Sequence, residues 1–211
     1  MDPAIALLGF CGAPWTVATY MTAGGGSPDQ AAAKLFAYQD RQGFGELIGC
    51  LIQASADYLV AQFRAGVDAV QIFDTWSGAL SPEEFDWWCI KPAAQIIAEV
   101  RERIPGARII GFPRGAGTAL QRYVDQVPVS AISLDWTVDR TVARVIQSHV
   151  PIQGNLDPHA LLAGGSALDR AVDTILGAFA GGPFVFNLGH GILADTPVRN
   201  VERMLARVRG R

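Results

Sequence analysis

At 211 residues the chain is long enough for one well-cored domain, half hydrophobic and 18% charged. A formal net charge of −3 argues against a broad nucleic-acid surface. No apolar run approaches the ~18 residues of a membrane span, and no basic segment leads into an apolar core and cleavage site at the N-terminus.

Cys11, Cys50 and Cys89 are odd in number and far apart. They offer no disulfide framework and no CxxC metal pair, and they fit a reducing cytoplasm. Lys34 and Lys91 are the only lysines, and neither stands at a strand end. That speaks against Schiff-base chemistry.

The apolar run Ile5–Leu8 reads as a strand buried on both faces, ending at Gly9-Phe10. Pro14 is expected to stop a helix from starting early. Gly24-Gly25-Gly26 reads as a flexible loop. Ser27, Pro28 and Gln30 carry the cap, first-position proline and box of a helix start. A longer helix follows, with Phe44, Leu47, Ile48, Leu51, Ile52, Leu59 and Phe63 at helical spacing, and Ala65-Gly66 ends it. Ala69–Asp74 is the second buried strand. Ser81-Pro82-Glu83-Glu84 restarts a helix whose stripe is Phe85, Trp88, Cys89, Ile96, Val100 and Ile104, with a kink expected at Pro92.

Arg108–Phe112 is the third strand, and a helix over Ala119–Val127 leads to the fourth, Ala131–Trp136. Thr137–Ser148 is a short helix. Val150–Leu156 is the fifth strand, leaving through Asp157-Pro158, where a helix starts. Ser166 is expected to cap a helix facing Leu168, Val172, Ile175, Leu176 and Phe179 inward. Phe184–Leu188 is the sixth strand. Asp195-Thr196-Pro197 opens the last helix, with Val198, Val201, Leu205 and Val208 on its inner face. Apolar strands alternating with helices call for a parallel sheet with helices outside. No linker interrupts the pattern, so residues 1–211 read as a single domain.

Several strand exits carry longer patterns: GF-x-GAPWT, TYM and GGGS from Gly9 to Ser27, QIFD-x-W-x-G-x-LSPE from Gln71 to Glu83, LDWT from Leu134, QGNLDP from Gln153, and NLGHGI-x-x-DTP from Asn187. Together these resemble the uroporphyrinogen decarboxylase family almost end to end. The resemblance implies a (β/α)8 TIM-barrel fold, here N-terminally truncated with about six of its eight strands. It implies removal of carbon dioxide from the four acetate side chains of uroporphyrinogen III, giving coproporphyrinogen III in haem biosynthesis. It further implies no metal or organic cofactor, a small-molecule tetrapyrrole substrate, a cytoplasmic homodimer, and no nucleic-acid or membrane partner.

Carried over residue by residue, Tyr20 matches a tyrosine lining the family's substrate cleft. Thr75 matches a Ser or Thr touching substrate, and His190 a histidine binding substrate carboxylate. Phe10 and Phe73 match aromatic positions beside the macrocycle. On residue type alone, Tyr20 reads first as a core tyrosine and Thr75 as a cap or turn former, and His190 reads equally as part of a glycine turn. Asp74, Asp135 and Asp157 are acid–base candidates by type, Arg114 an anion-binding candidate or a solvated loop arginine, and His149 and His159 surface residues. No aspartate here matches the family's catalytic one, which lies with its main arginines in an N-terminal segment. The chain alone is therefore expected to be a poor decarboxylase, unless the coding region starts further upstream. The alternatives are a zinc-, corrinoid- or thiol-linked methyltransferase of the same superfamily, or a non-catalytic tetrapyrrole-binding remnant.

Overall fold

The computed structural model describes residues 5–210, apart from the Pro28 side chain. By its internal contacts the chain divides into two compact units, Met1–Ser130 and Ala131–Arg211.

The first unit holds three strands, β1 (Leu8–Gly12), β2 (Ala69–Asp74) and β3 (Ile109–Pro113). They pair in parallel and in chain order. Leu8 stands opposite Ala69 and Gly12 opposite Phe73, while Val70 stands opposite Ile109 and Asp74 opposite Pro113. Parallel neighbours need a long crossover, usually helical. Here α1 (Pro14–Ala23), α2 (Ala31–Gln39) and α3 (Arg41–Arg64) return β1 to β2. Between β2 and β3 run α4 (Pro82–Phe85) and α5 (Lys91–Arg103), joined by a π-turn over Asp86–Ile90; α6 (Ala119–Gln126) follows β3.

β2 and β3 follow the sequence reading, with Val70, Ile72, Ile109 and Phe112 buried. β1 departs from it. The strand begins at Leu8 and runs through both glycines, and Leu8 and Phe10 are exposed rather than buried. Its outer edge is met by a side chain: Gln62 Nε2 donates to the Phe10 carbonyl at 2.9 Å, and Gln62 Oε1 accepts from the Phe10 N–H at 2.8 Å. One amide thus stands in for a neighbouring strand at this point. Gly9 makes room for it, since a Cβ there would fall 2.0 Å from Gln62 Oε1.

Pro14 does not block a helix; it opens one. It occupies the first position of α1, where its missing N–H costs nothing. Gly24, at φ +67°, ends that helix in the left-handed region. The expected cap on α2 is not made. Pro28–Gln30 form a 3-10 turn, Asp29 and Gln30 take positive φ, and α2 starts at Ala31 without a side-chain cap.

Asp40 caps α3 by accepting from the Gly43 N–H at 2.8 Å. By length and composition alone α3 could cross a membrane. In the fold its stripe of Phe44, Ile48, Ile52 and Leu59 is buried in the unit, with Phe44 edge-on to Trp88 at 4.8 Å and to Trp15 at 5.9 Å. Burying each such ring contributes roughly 2–3 kcal/mol.

Ser81 caps α4, its side chain accepting from the Glu84 N–H. The Glu84 carboxylate accepts from Trp88 Nε1 and from Arg41 at 2.9 Å. The irregularity expected at Pro92 takes the form of the π-turn just before it, which accommodates a residue with no N–H to give.

In the second unit β4 (Ala131–Ser133), β5 (Ile152–Leu156) and β6 (Phe184–Leu188) are again parallel, with Ile132 opposite Ile152 and Leu156 opposite Leu188. α7 (Arg140–Gln147), α8 (Pro158–Ala163), α9 (Gly165–Phe179) and α10 (Val198–Val208) complete it. Asp139 caps α7, and Asp157 caps α8 by accepting from the His159 N–H at 2.8 Å. Ser166 does not cap α9. The cap position is Gly164, at φ +67°, where a Cβ would lie 2.5 Å from Asn200.

The expected apolar inner face of α10 stands only in part, with Val201 and Val208 half-buried. Val198 is 72% exposed and Leu205 is exposed, while the buried residue is Asn200. Its Nδ2 donates to the carbonyls of Leu161 at 2.9 Å and Leu162 at 3.0 Å, at the end of α8. Further along, Arg203 pairs with Asp169 and Arg207 with Asp173 on α9.

Asn200→Ala should lower the free energy of urea unfolding by about 1–3 kcal/mol, because it strips the donor from two carbonyls. Arg207→Ala, exposed on the same helix, should cost less. Equal costs would mean that the amide is not the anchor.

Candidate functional site

Strand exits collect the sequence-flagged residues of the first unit. Phe10, Phe73 and Phe112, one from each strand, form a row of edge-on rings, 5.8 Å apart at the first step and 5.6 Å at the second. Phe10, Gly12, Thr16, Phe73 and Thr75 line an open, mainly apolar hollow of about 270 Å³. Phe10 is 61% exposed, so its face is available to a ligand.

Tyr20 is not a core tyrosine: it is 45% exposed on α1 and meets Trp76 edge-on at 6.4 Å. Thr75 is not a helix cap either, because the 3-10 turn after it spans Ser77–Ala79 and begins from Trp76. Three of the five flagged residues therefore share one hollow, and Tyr20 packs on the neighbour of the third.

Beneath the hollow lies a polar group that sequence reading did not assemble. Asp74 ends β2 and is 3% exposed. A buried carboxylate needs donors. The Thr16 hydroxyl supplies one at 2.7 Å, and Cys89 of the π-turn supplies another. Burial nevertheless dominates and pushes the Asp74 carboxyl up to about 6, with the Thr16 and Cys89 bonds opposing it. Burial, together with the nearby Asp74, also holds the Cys89 thiol and the Tyr123 phenol of α6 well above their ordinary ranges.

The loops after β2 and β3 are locked backbone to backbone. Ser77 Oγ donates to the Arg114 carbonyl at 2.9 Å, and the Gly78 N–H donates to the same oxygen at 3.1 Å. A Cβ on Gly78 would fall 2.6 Å from the Gly115 carbonyl. Arg114 is thus built into the loop floor, and its Nη1 reaches the Thr75 carbonyl at 3.5 Å.

In the second unit His190 is half-buried on the loop leaving β6. Gly189 holds that loop down: its N–H donates to the Leu156 carbonyl at 2.7 Å, and a Cβ would lie 2.7 Å from the Trp136 nitrogen. The glycine beside His190 is therefore a close-approach residue, which pins the histidine across the exits of β4 and β5. Asp135 is tied into its own turn, accepting from the Thr137 N–H at 2.8 Å and from the Thr137 hydroxyl. Asp157 is spent on capping α8. His159 is on the surface and pairs with Asp157 at 3.2 Å.

The model of the family described as uroporphyrinogen decarboxylase (URO-D) matches residues 1–211. The chain belongs to the uroporphyrinogen decarboxylase family. It is 55% identical over 204 residues to the uroporphyrinogen decarboxylase of Chelativorans sp. (strain BNC1), covering 97% of this chain and 60% of that protein. To those of Rhizorhabdus wittichii and Brucella anthropi it is 56% and 54% identical, covering 96% and 97% of this chain and 59% and 60% of theirs. It thus spans about three-fifths of the length of the curated relatives it matches.

Among solved structures, a methyltransferase from Methanosarcina mazei superposes with a TM-score of 0.80 at 20% identity, covering 100% of this chain and 60% of that one. That likeness speaks for the fold, and with the family match it identifies a parallel α/β fold of TIM-barrel type. Within this uroporphyrinogen decarboxylase-family chain, no group of three or more His, Cys, Asp or Glu among the described residues is arranged to hold a metal ion.

The Asp74 carboxyl gives a pH signature. Its folded value of about 6 lies above its ordinary 3.8, so between about pH 4 and pH 6 the folded state keeps a proton that the unfolded chain has released. Stability should fall as pH rises through that window and then level off. Asp74→Asn should flatten the decline, read as the difference in urea midpoint between variant and wild type from pH 4 to 7. Parallel curves would show that another group titrates. Gly78→Ala, which pushes a methyl group into the Gly115 backbone, should lower the thermal midpoint and loosen both loops, seen as faster amide exchange from Trp76 to Gly78; unchanged exchange would mean the two loops are not coupled there.

Proposed function

We propose that this chain forms substrate-binding wall in a uroporphyrinogen decarboxylase, which converts the acetate side chains of uroporphyrinogen to methyl groups and yields coproporphyrinogen. The observation that carries the reading is the aromatic hollow at the exits of β1 and β2, where Phe10, Phe73 and Thr75 meet and Tyr20 stands exposed alongside. The apolar faces of the substrate's pyrrole rings suit the edges of phenyl rings. The hydroxyls of Thr75 and Tyr20 would orient the macrocycle, and the His190 imidazole of the second unit is, taken by itself, a group suited to a carboxylate. In the reaction, protonation of a pyrrole ring creates a cation that accepts the electron pair left by departing carbon dioxide; a proton then completes the methyl group and the ring releases the proton it first took, so each acetate consumes one proton and yields one carbon dioxide. No cofactor is needed for that electron flow.

The same reading extends to a cytoplasmic homodimer in which the 211 residues act as one barrel-type domain. Its supports are the sparse, scattered cysteines and the family membership.

A second reading, tetrapyrrole binding without turnover, is favoured by one observation. The three aspartates at strand exits are all engaged elsewhere: Asp74 beneath the hollow, Asp135 in its turn and Asp157 on α8.

Coproporphyrinogen formation from uroporphyrinogen by the purified protein distinguishes the two. Thr75→Val and Tyr20→Phe should each lower kcat/KM about tenfold, the worth of one hydrogen bond to a buried partner. His190→Ala should raise KM more than it lowers kcat. Tight substrate binding with no product would select the non-catalytic reading, and unchanged kinetics in all three variants would remove the hollow from the substrate path.

A further inference from the structure

We propose that Trp15 and Thr16, at the start of α1, form a two-point clamp on the Trp76 backbone that positions Thr75 in the wall of the hollow. The Thr16 hydroxyl accepts from the Trp76 N–H at 3.3 Å. The Trp15 indole Nε1 donates to the Trp76 carbonyl at 3.0 Å. Both polar groups of one peptide residue are thus taken by adjacent side chains of a single helix, some sixty positions earlier in the chain. The carbonyl has a second donor in the Ala79 N–H at 3.1 Å, across the 3-10 turn, whereas the Trp76 N–H is met by the Thr16 hydroxyl.

Thr16 reaches the other side of Thr75 as well. Its hydroxyl donates to Asp74 Oδ1 at 2.7 Å, so Thr75 is bracketed by two contacts to the same oxygen atom, one through Asp74 and one through Trp76. Its single proton is given to Asp74, and one of its two lone pairs accepts from Trp76. Thr16 lines the hollow but has no hydrogen-bonding proton left for a ligand. It is a positioning residue rather than a catalytic one.

The clamp is anchored from behind. Trp15 is fully buried, and the Asp74 carboxyl is backed by Cys89 of the π-turn. The Asp74 carbonyl accepts from the Arg114 N–H at 3.1 Å, which ties the bracket to the exit of β3. Tyr20, one turn further along α1, meets the Trp76 ring. One short helix thereby fixes Trp76 through its N–H, its carbonyl and its ring, and so sets the placement of Thr75 relative to Tyr20.

The kinetic half of this inference rests on the reading that Thr75 meets substrate; the structural half does not. The test compares Thr16→Val, which keeps the shape but loses the hydroxyl, with Thr16→Ser, which keeps the hydroxyl. Thr16→Val should raise KM for uroporphyrinogen about tenfold with kcat within about twofold of wild type, and should shift the amide NMR resonances of Thr75 and Trp76. Thr16→Ser should restore both. A Thr16→Val variant with wild-type KM and wild-type amide shifts overturns the clamp. So does a Thr16→Ser variant that matches Thr16→Val, because packing alone would then be the cause.

If wild-type protein turns over no uroporphyrinogen, the functional reading falls and the amide shifts decide the clamp on their own. Should Thr16→Val not fold, hydrogen exchange in the wild type decides. Protection of the Trp76 amide comparable to that of the β2 amides supports the clamp, and exchange at open-loop rates overturns it.

Discussion

A parallel ladder cannot be closed by a tight turn. The chain leaving Gly12 must travel back the length of β1 before it can pair again as β2, and α1, α2 and α3 are that return. The same holds for each later step in either unit. Within a unit, then, every strand runs the same way and every exit opens at the same end. Residues that are distant in sequence, such as Phe10 and Thr75, become neighbours without any local device. Exits are also where backbone leaves the ladder and must find new hydrogen-bond partners. This is why glycines, capping aspartates and side chains that bind backbone concentrate there.

Asp74 shows how such an exit is settled energetically. An unpartnered carboxylate this deep would be costly, and burial does raise its proton affinity. The donors that moderate the cost, Thr16 and Cys89, come from α1 and the π-turn. Satisfying one buried group therefore joins the helix layer to the end of the strand. The arrangement has two faces: ring edges and an open hollow in front, and a closed hydrogen-bonded group behind. The front is fit to receive a ligand, and the back holds the front still.

Much of this was legible from residue order. β2, β3, β5 and β6 are short, largely apolar segments between helical patterns, and for such segments a parallel strand is the reading with few alternatives; β6 nevertheless keeps Val185 exposed. The motif resemblance added Phe10, Phe73 and Thr75, which line one hollow, and Tyr20, which meets the ring of Trp76. What escaped reading depends on partners far away in sequence. Pro14 looked like a breaker because proline ends helices; that it starts α1 depends on where the chain turns after pairing with β2. The apolar residues of β1 predict a buried strand, whereas it is the edge strand of its unit, and Gln62 of α3 supplies partners for Phe10. Ser27 and Ser166 fit the cap pattern, yet the helices start elsewhere, at a 3-10 turn and at a glycine pressed against Asn200. Thr16 closes the GF-x-GAPWT pattern, but nothing in that pattern names its partners. The available hint was Asp74, a carboxylate at the end of an apolar strand, which had to be satisfied by something.

The attachment of α10 has a consequence for how this part of the molecule answers its surroundings. Near its start the helix is held by a buried amide, and further along by guanidinium–carboxylate pairs at the surface. Mobile ions weaken exposed pairs, over a screening distance of about 8 Å at physiological ionic strength, and leave a sheltered amide almost untouched. As electrolyte is added, the helix should therefore peel from its far end inward and stop at Asn200, so that the last turns of the chain respond to the medium while the ladder beneath them does not.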